Sequence, residues 1–271
     1  PFIHVGSKAV TCAAGRSSTR SALSKANTAS SPSSLVSGHL TPPPTARPVA
    51  RATSAPTTAT AGTTILVAAG TYRDIAIWRA HNLTIRGVGG VAHLDAAGLT
   101  IPNGKAIWVI QGRGYTVERV EFSGARVPDR NGAGIRLEAP GLTVRDCYFH
   151  DNENGILTGA DATSDLVFET TEFNHNGAGD GQSHNFYVGA VRSLTLRGCY
   201  THDAVVGHLV KSRAAANYLL YNRITGEAGS ASLADRSSSA ASRSSSSSLG
   251  RPESKWRWPY PPPPPPPMPM G

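Results

Sequence analysis

Residues 63–227 predict an all-β fold, a right-handed parallel β-helix wound as a single-stranded solenoid of about six to seven coils. Three observations carry this. Five segments share one pattern of apolar, polar or small, apolar, charged: Leu83-Thr84-Ile85-Arg86, Tyr115-Thr116-Val117-Glu118, Leu142-Thr143-Val144-Arg145, Leu166-Val167-Phe168-Glu169 and Leu194-Thr195-Leu196-Arg197. With a looser sixth copy at Tyr218-Leu219-Leu220-Tyr221, their starts lie 32, 27, 24, 28 and 24 residues apart, one coil per interval. Aromatic residues then recur at one offset, Phe122, Phe149 and Phe173 each standing seven residues after a repeat begins.

Each observation has a physical reading. A period of two marks a half-buried strand. If coils stack at about 4.8 Å, the three Phe rings stack inside the tube. A second strand follows in each coil: Gly134-Ile135-Arg136-Leu137, Gly155-Ile156-Leu157-Thr158, Asn185-Phe186-Tyr187-Val188 and Gly207-His208-Leu209-Val210. Glycine and asparagine lie between strands, where the chain must bend. A sandwich would show hairpin turns instead of columns at coil spacing. Helical repeats would need a 3.6-residue period, which no segment has. Cys147, Thr171 and Cys199 form another column; two coil steps put the cysteines about 9.6 Å apart, beyond disulfide reach. They read as small buried residues, and without a Cys-x-x-Cys pair a zinc site is not expected.

The flanks differ in composition. Residues 1–62 contain no Asp or Glu and are rich in Ser, Thr, Ala and Pro; residues 228–271 carry Ser237–Ser239, Ser244–Ser248 and Pro261–Pro267. Such segments bury too little apolar surface to offset their ordering entropy, so both read as disordered tails, the proline tract as polyproline II. The whole chain is +8, but the tails carry +6 and +3, which leaves the middle with 15 basic and 16 acidic residues, net −1. Nucleic acid is therefore not expected as a partner of the folded part. No apolar run reaches the roughly 20 residues that span a bilayer. The opening Pro1-Phe2-Ile3-His4-Val5 has no signal-peptide pattern.

The stretch Ile65-Leu66-Val67-Ala68-Ala69-Gly70-Thr71-Tyr72-Arg73-Asp74, followed by Asn82-Leu83-Thr84-Ile85-Arg86-Gly87, resembles the opening coils of pectin-active β-helix proteins of the pectate-lyase-like superfamily. The later His184-Asn185-Phe186-Tyr187-Val188-Gly189, Gly207–Ala214 and Tyr221-Asn222-Arg223-Ile224 are similar to a bacterial group of right-handed parallel β-helix repeat proteins. The resemblance implies a protein acting on or binding polysaccharide, in an extracellular or periplasmic setting. The enzyme motifs of the superfamily are mostly missing. Gly207-His208-Leu209 departs from the Gly-His-Gly of the pectin hydrolases, no Asp-Asp pair exists, and the Trp-x-Asp-His and Arg-x-Pro-x-x-Arg segments of pectate lyases are absent. Whether the chain turns over a substrate is left open; if it does, a polysaccharide lyase is implied.

Two groups of polar residues stand out. Aligned by coil, His150, Asn174 and His202 share one column, Asp151, His175 and Asp203 the next, and Asn152 sits over Asn176. One reading is a hydrogen-bonded ladder that satisfies the buried turns. The other is a binding strip, with His202 on a sugar and Asp151 and Asp203 on a cation such as calcium. The second group is Lys211, Arg213 and His208, with His184, Tyr187 and Asp180 as substrate contacts. A lyase must neutralise a uronate carboxylate and remove the proton alpha to it, which Lys and Arg can do; a solvated flank is the plain alternative. Trp78 and Trp108 offer either sugar-stacking surfaces or core.

The expected activity is on acidic, uronate-containing glycans. The rivals are a non-catalytic carbohydrate-binding module and a structural or adhesive solenoid on the same scaffold. The strand pattern stops at Gly226-Glu227, so the reading expects no further strand, a truncated or misread end, and self-association through an uncapped last coil.

Overall fold

The structure, a computed structural model, describes residues 3–5, 59–226 and 231–235, the first and last of these as backbone strands only. Twenty strands lie among the described residues. The entry is formed by β1 (Ile3–Val5), β2 (Thr64–Tyr72) and β3 (Ala76–Trp78), then β4 (Thr84–Asp95) and β5 (Ala106–Ile110). The next two coils hold β6 (Tyr115–Glu118), β7 (Val120–Ser123) and β8 (Ala133–Leu137), then β9 (Leu142–Arg145), β10 (Tyr148–His150) and β11 (Asn154–Thr158). β12 (Asp161–Glu169), β13 (Glu172–Asn174) and β14 (Phe186–Val188) follow, then β15 (Val191–Arg197), β16 (Tyr200–His202) and β17 (His208–Ser212). The last coil is β18 (Ala216–Leu220), β19 (Arg223–Thr225) and β20 (Ala231–Asp235).

These strands make a three-faced parallel solenoid. The first face stacks the front of β2 and β4 with β6, β9, β12, β15 and β18. The second stacks the back of β2 and β4 with β7, β10, β13, β16 and β19. The third is β3-β5-β8-β11-β14-β17-β20. Five turns have three separate strands; ahead of them β2 and β4 each bend through two faces, so the regular part is slightly shorter than expected.

Period-two patterning places the core. On the first face Leu142 and Val144 point in while Thr143 and Arg145 point out, and β6, β12 and β15 repeat this at the aligned positions. The outward charges alternate by coil: Glu118 pairs with Arg86 and Arg145, and Glu169 with Arg145 and Arg197. Opposite charges on adjacent strands reinforce this register and oppose a slip by one coil. Inside, Phe122, Phe149 and Phe173 stack at centroid distances of 4.9 and 5.1 Å with rings within 10° of parallel. Trp108 caps the stack edge-on at 4.9 Å from Phe122, and Trp78 meets Trp108 at 5.3 Å. Both tryptophans are buried, so they are core and not sugar platforms. Cys147 and Cys199 are buried free thiols, in agreement with their column reading.

The bends are made by single residues in the left-handed region. Between the first and second faces these are Arg119, Asp146, Thr170 and Tyr221; after the second face they are Asp151, His175 and Asp203. A non-glycine residue pays about 1–2 kcal/mol for this conformation. Coil-to-coil amide bonds hold it in place, such as Asp146 N–H to Glu169 O and Thr170 N–H to Arg197 O. Inside the second bend, Asn152, Asn176 and Asn185 form an amide ladder: Asn152 and Asn176 each donate Nδ2 to the Oδ1 of the next and to the carbonyl of Phe122 or Phe149. The hydrogen-bonded ladder expected for these turns is therefore present, with Asn185 as its third rung.

Four sequence expectations need correction. The sixth repeat starts at Asn217, which aligns with Leu194 and leaves Tyr218 on the outward column beside Thr195. On the third face, Leu209 to Ser212 matches Asn185 to Val188, a shift of two residues that keeps inward and outward faces unchanged. A strand does follow Glu227: β20 pairs in parallel with β17, with Leu233 beside Val210. Within the N-terminal segment, β1 lies antiparallel on the edge of β2, with Ile3 opposite Val67. The rest of residues 1–62 and 228–271, with Cys12, both Ser runs and the proline tract, lies outside the described residues. Among the described residues no helix is long and apolar enough to cross a membrane.

Candidate functional site

Two clusters of polar residues occupy different faces of the solenoid. On the second face, outward positions of neighbouring strands bring Glu121 beside His93 and Tyr148, and His150 beside Ser123. His150 Nε2 lies 2.9 Å from Glu121 Oε1 and its Nδ1 2.7 Å from Asp151 Oδ2. The other oxygen of Asp151 meets His175 Nδ1 at 2.6 Å. Two coils later the unit recurs: His202 bonds Glu172 at 3.0 Å and Asp203 at 2.6 Å. Tyr148 stacks on His150 and Tyr200 on His202, at 4.3 and 3.9 Å.

Burial by itself would lower the His150 pKa, but the hydrogen bonds from Asp151 and Glu121 override it and raise it to about 9. His202 is raised in the same way against its burial, by Glu172 and Asp203. The bonds from His150 bring Asp151 down to about 2. His93, by contrast, is lowered by burial, with Glu121 opposing.

The third face carries the other cluster. Gly207 adopts φ +147°, and a Cβ there would lie 2.2 Å from the Ser183 carbonyl oxygen. Only glycine lets the chain entering β17 pass so close to His184. The His184 ring is buried, and its Nδ1 accepts from the His208 amide at 3.1 Å, with the His208 ring at 3.3 Å. Lys211 Nζ stands 3.1 Å from His184 Nε2 and 5.2 Å from the Tyr187 ring. Arg213 lies over that same ring at 5.6 Å. Burial first, then Lys211 and His208, push the His184 pKa down to about 3; His208 is lowered by burial and Lys211. Asp180 sits on the 177–183 loop, accepts from Gln182 and Ser183, and approaches Arg130 at 3.9 Å.

Lys211, Arg213, His208, His184 and Tyr187 therefore meet, with Asp180 on the adjoining loop. His202 does not join them, because both its ring nitrogens are engaged on the second face. Asp151 and Asp203 stand two coils apart, about 9.6 Å of stacking, and each is bonded to imidazole. Calcium takes about six to eight oxygen ligands, so these nitrogen-flanked carboxylates do not fit it. Sequence reasoning missed His93 and Glu121, which share no repeat motif with His150; their signal is the register of β4, β7 and β10.

No curated protein matches the chain. Solved structures similar to it include Geobacillus virus E2 ORF18, at 15% identity and TM-score 0.48, covering 62% of this chain and 35% of that one. Pectin methylesterase PemA from Erwinia chrysanthemi aligns at 13% identity and TM-score 0.43, covering 65% and 61%. A pectin methylesterase in complex with a hexasaccharide aligns at 12% identity and TM-score 0.39, covering 64% and 60%. The chain thus spans less than two thirds of each of these structures. The family profile described as "Right handed beta helix region" matches residues 66–246, which takes in the strand repeats of all three faces and both polar clusters, and the chain belongs to that right-handed β-helix family.

Proposed function

We propose that the third face binds an acidic, uronate-containing polysaccharide and acts on it as a lyase. The observation that supports this is the hydrogen bonding of His184. A neutral imidazole has one donor and one acceptor nitrogen. Nδ1 accepts the His208 amide, so the ring proton sits on Nε2, which faces Lys211 Nζ. Lys211, whose charge disfavours a proton on His184, acts as the base after giving up its own proton; the free amine then accepts this bond and takes the proton alpha to a uronate carboxylate. In the elimination the C–H electron pair becomes the new C=C bond, the bond to the glycosidic oxygen breaks, and that oxygen takes a proton from water. Arg213 stays charged and offsets the carboxylate charge that grows in the transition state. His208 and His184 are positioning residues, and Tyr187 gives a ring face for the sugar. On this reading the chain works where its polymer lies, in an extracellular or periplasmic setting.

The test is a screen of the full chain on uronic-acid polymers, read as ultraviolet absorbance of the unsaturated product, with and without calcium. Turnover is expected without calcium, falling about 10²–10⁴-fold in Lys211→Ala, the usual weight of a general base. If Lys211→Ala and Arg213→Ala both fold and leave binding and turnover intact, the proposal is wrong. A second reading, a non-catalytic carbohydrate-binding module, is favoured by Tyr218 and Tyr221, which are 54% and 85% exposed. It requires glycan binding without product, lost in Tyr221→Ala.

A further inference from the structure

We propose that His93, Glu121 and His150 form a site for a divalent transition ion of the zinc class, on the second face and independent of the third-face cluster. Each residue offers one ligand atom, and the three atoms lie within 4.8 Å of one another. Glu121 Oε1 is the hub, 2.9 Å from His150 Nε2 and 3.7 Å from His93 Nε2. Zinc bound at about 2.0–2.1 Å sets tetrahedral ligand pairs about 3.3 Å apart, between these two values. Two imidazoles and one carboxylate suit a borderline ion better than calcium or magnesium. With three protein ligands the ion keeps an open position for water or an outside ligand, as catalytic zinc does.

The supporting shell is also present. A ligating histidine commonly gives its second nitrogen to a carboxylate, which fixes the ring. His150 does this through Nδ1 to Asp151, and Asp151 is held from its far side by His175. Ser123 Oγ lies 2.7 Å from His93 Nε2, the nitrogen offered to the ion, and gives up that contact when the ion binds. Three successive coils supply the ligands: His93 and Glu121 are register neighbours, and His150 is reached diagonally, two residues past the neighbour of Glu121.

The solenoid contains its own control. Tyr200-Thr201-His202-Asp203 repeats Tyr148-Phe149-His150-Asp151, and Glu172 meets His202 as Glu121 meets His150. The register position before Glu172 holds Tyr148, where the position before Glu121 holds His93. The second copy therefore has two of the three ligands and should not hold the ion.

The experiment is calorimetric titration of the untagged full chain with Zn²⁺, with Co²⁺ as a spectroscopic probe. One ion is expected to be lost in His93→Ala and in Glu121→Gln, a substitution that keeps side-chain volume. Asp151→Asn should weaken binding about 10–100-fold as an outer-shell change, and His202→Ala should leave it unaltered. Co²⁺ should give visible bands of a four-coordinate nitrogen–oxygen site without a thiolate charge-transfer band. The proposal is overturned if the parent chain binds no Zn²⁺, if Co²⁺ shows thiolate ligation, or if Glu121→Gln and His93→Ala bind as the parent does. It is equally overturned if His202→Ala removes the ion.

Discussion

Two groups of histidines on one solenoid meet opposite fates. On the second face, His150 and His202 each lie between two carboxylates, one from their own turn and one from the coil before. On the third face, His184 faces a histidine and a lysine. Burial disfavours the charged ring in both places. Carboxylate partners overcome it at His150, raising the pKa to about 9, whereas cationic partners add to it at His184, lowering the pKa to about 3. In a parallel coil, then, the residue stacked from the neighbouring coil acts together with the sequence neighbour to decide what a histidine does.

The core shared by the clusters offers the largest perturbation. Asn152 and Asn176, which follow the two second-face turns, bond to carbonyls of the Phe column, and Gly134 packs against Phe149 on the third-face side. Phe149→Ala should lower stability by about 3–5 kcal/mol in urea unfolding, while the two histidine groups keep their opposite titrations. A loss below about 1 kcal/mol would contradict a packed aromatic column.

The pH dependence of stability separates the groups next. Native His184 refuses a proton that the unfolded chain takes up between pH 6.5 and about 3, so stability should fall as pH drops through that window. Native His150 keeps a proton that the unfolded chain releases between pH 6.5 and about 9, so its contribution is full below that window and lost as pH rises through it. In urea titrations His184→Gln should flatten the acid limb and His150→Asn the alkaline limb. If each variant changes the other limb, the assignments are reversed.

The smallest effect is expected at the exposed end of the second-face cluster. His175→Gly removes an exposed pair with Asp151, worth about 0.2–1 kcal/mol, and relieves a left-handed residue at φ +50°, worth about 1–2 kcal/mol, less about 0.5–1 kcal/mol for the extra backbone entropy that glycine loses. The net change in melting should be within about 1 kcal/mol. A larger loss would show that His175 holds Asp151 more firmly than an exposed pair does.

The fold was legible because the first-face pattern is strict and its spacing matches one coil. The Phe column followed from a constant offset. Register on the third face was harder, because the 177–183 loop breaks the count before β14 and Gly207 attracted the alignment two residues early. β20 was missed because Ala231-Ser232-Leu233-Ala234-Asp235 sits in a Ser-rich stretch with one large apolar residue. The third-face cluster could be read since Lys211 and Arg213 follow a recognisable strand. His93 and Glu121 could not, since β4 bends through two faces at Gly89-Gly90 as one continuous strand and their meeting with His150 depends on three coils. The left-handed bends were hidden for a related reason: Arg119 and Thr170 hold that conformation through bonds to the next coil, not through a preference of their own.

The most direct test of the contrast is a nitrogen-detected NMR titration of the histidine rings in the metal-free full chain, assigned with His150→Asn and His184→Gln. The expected result is a His150 imidazolium that persists until about pH 9 and a His184 ring that stays neutral, with its proton on Nε2, down to about pH 3. Two rings titrating together near pH 6.5 would contradict the account, because neighbouring coils would then have no hold on either histidine.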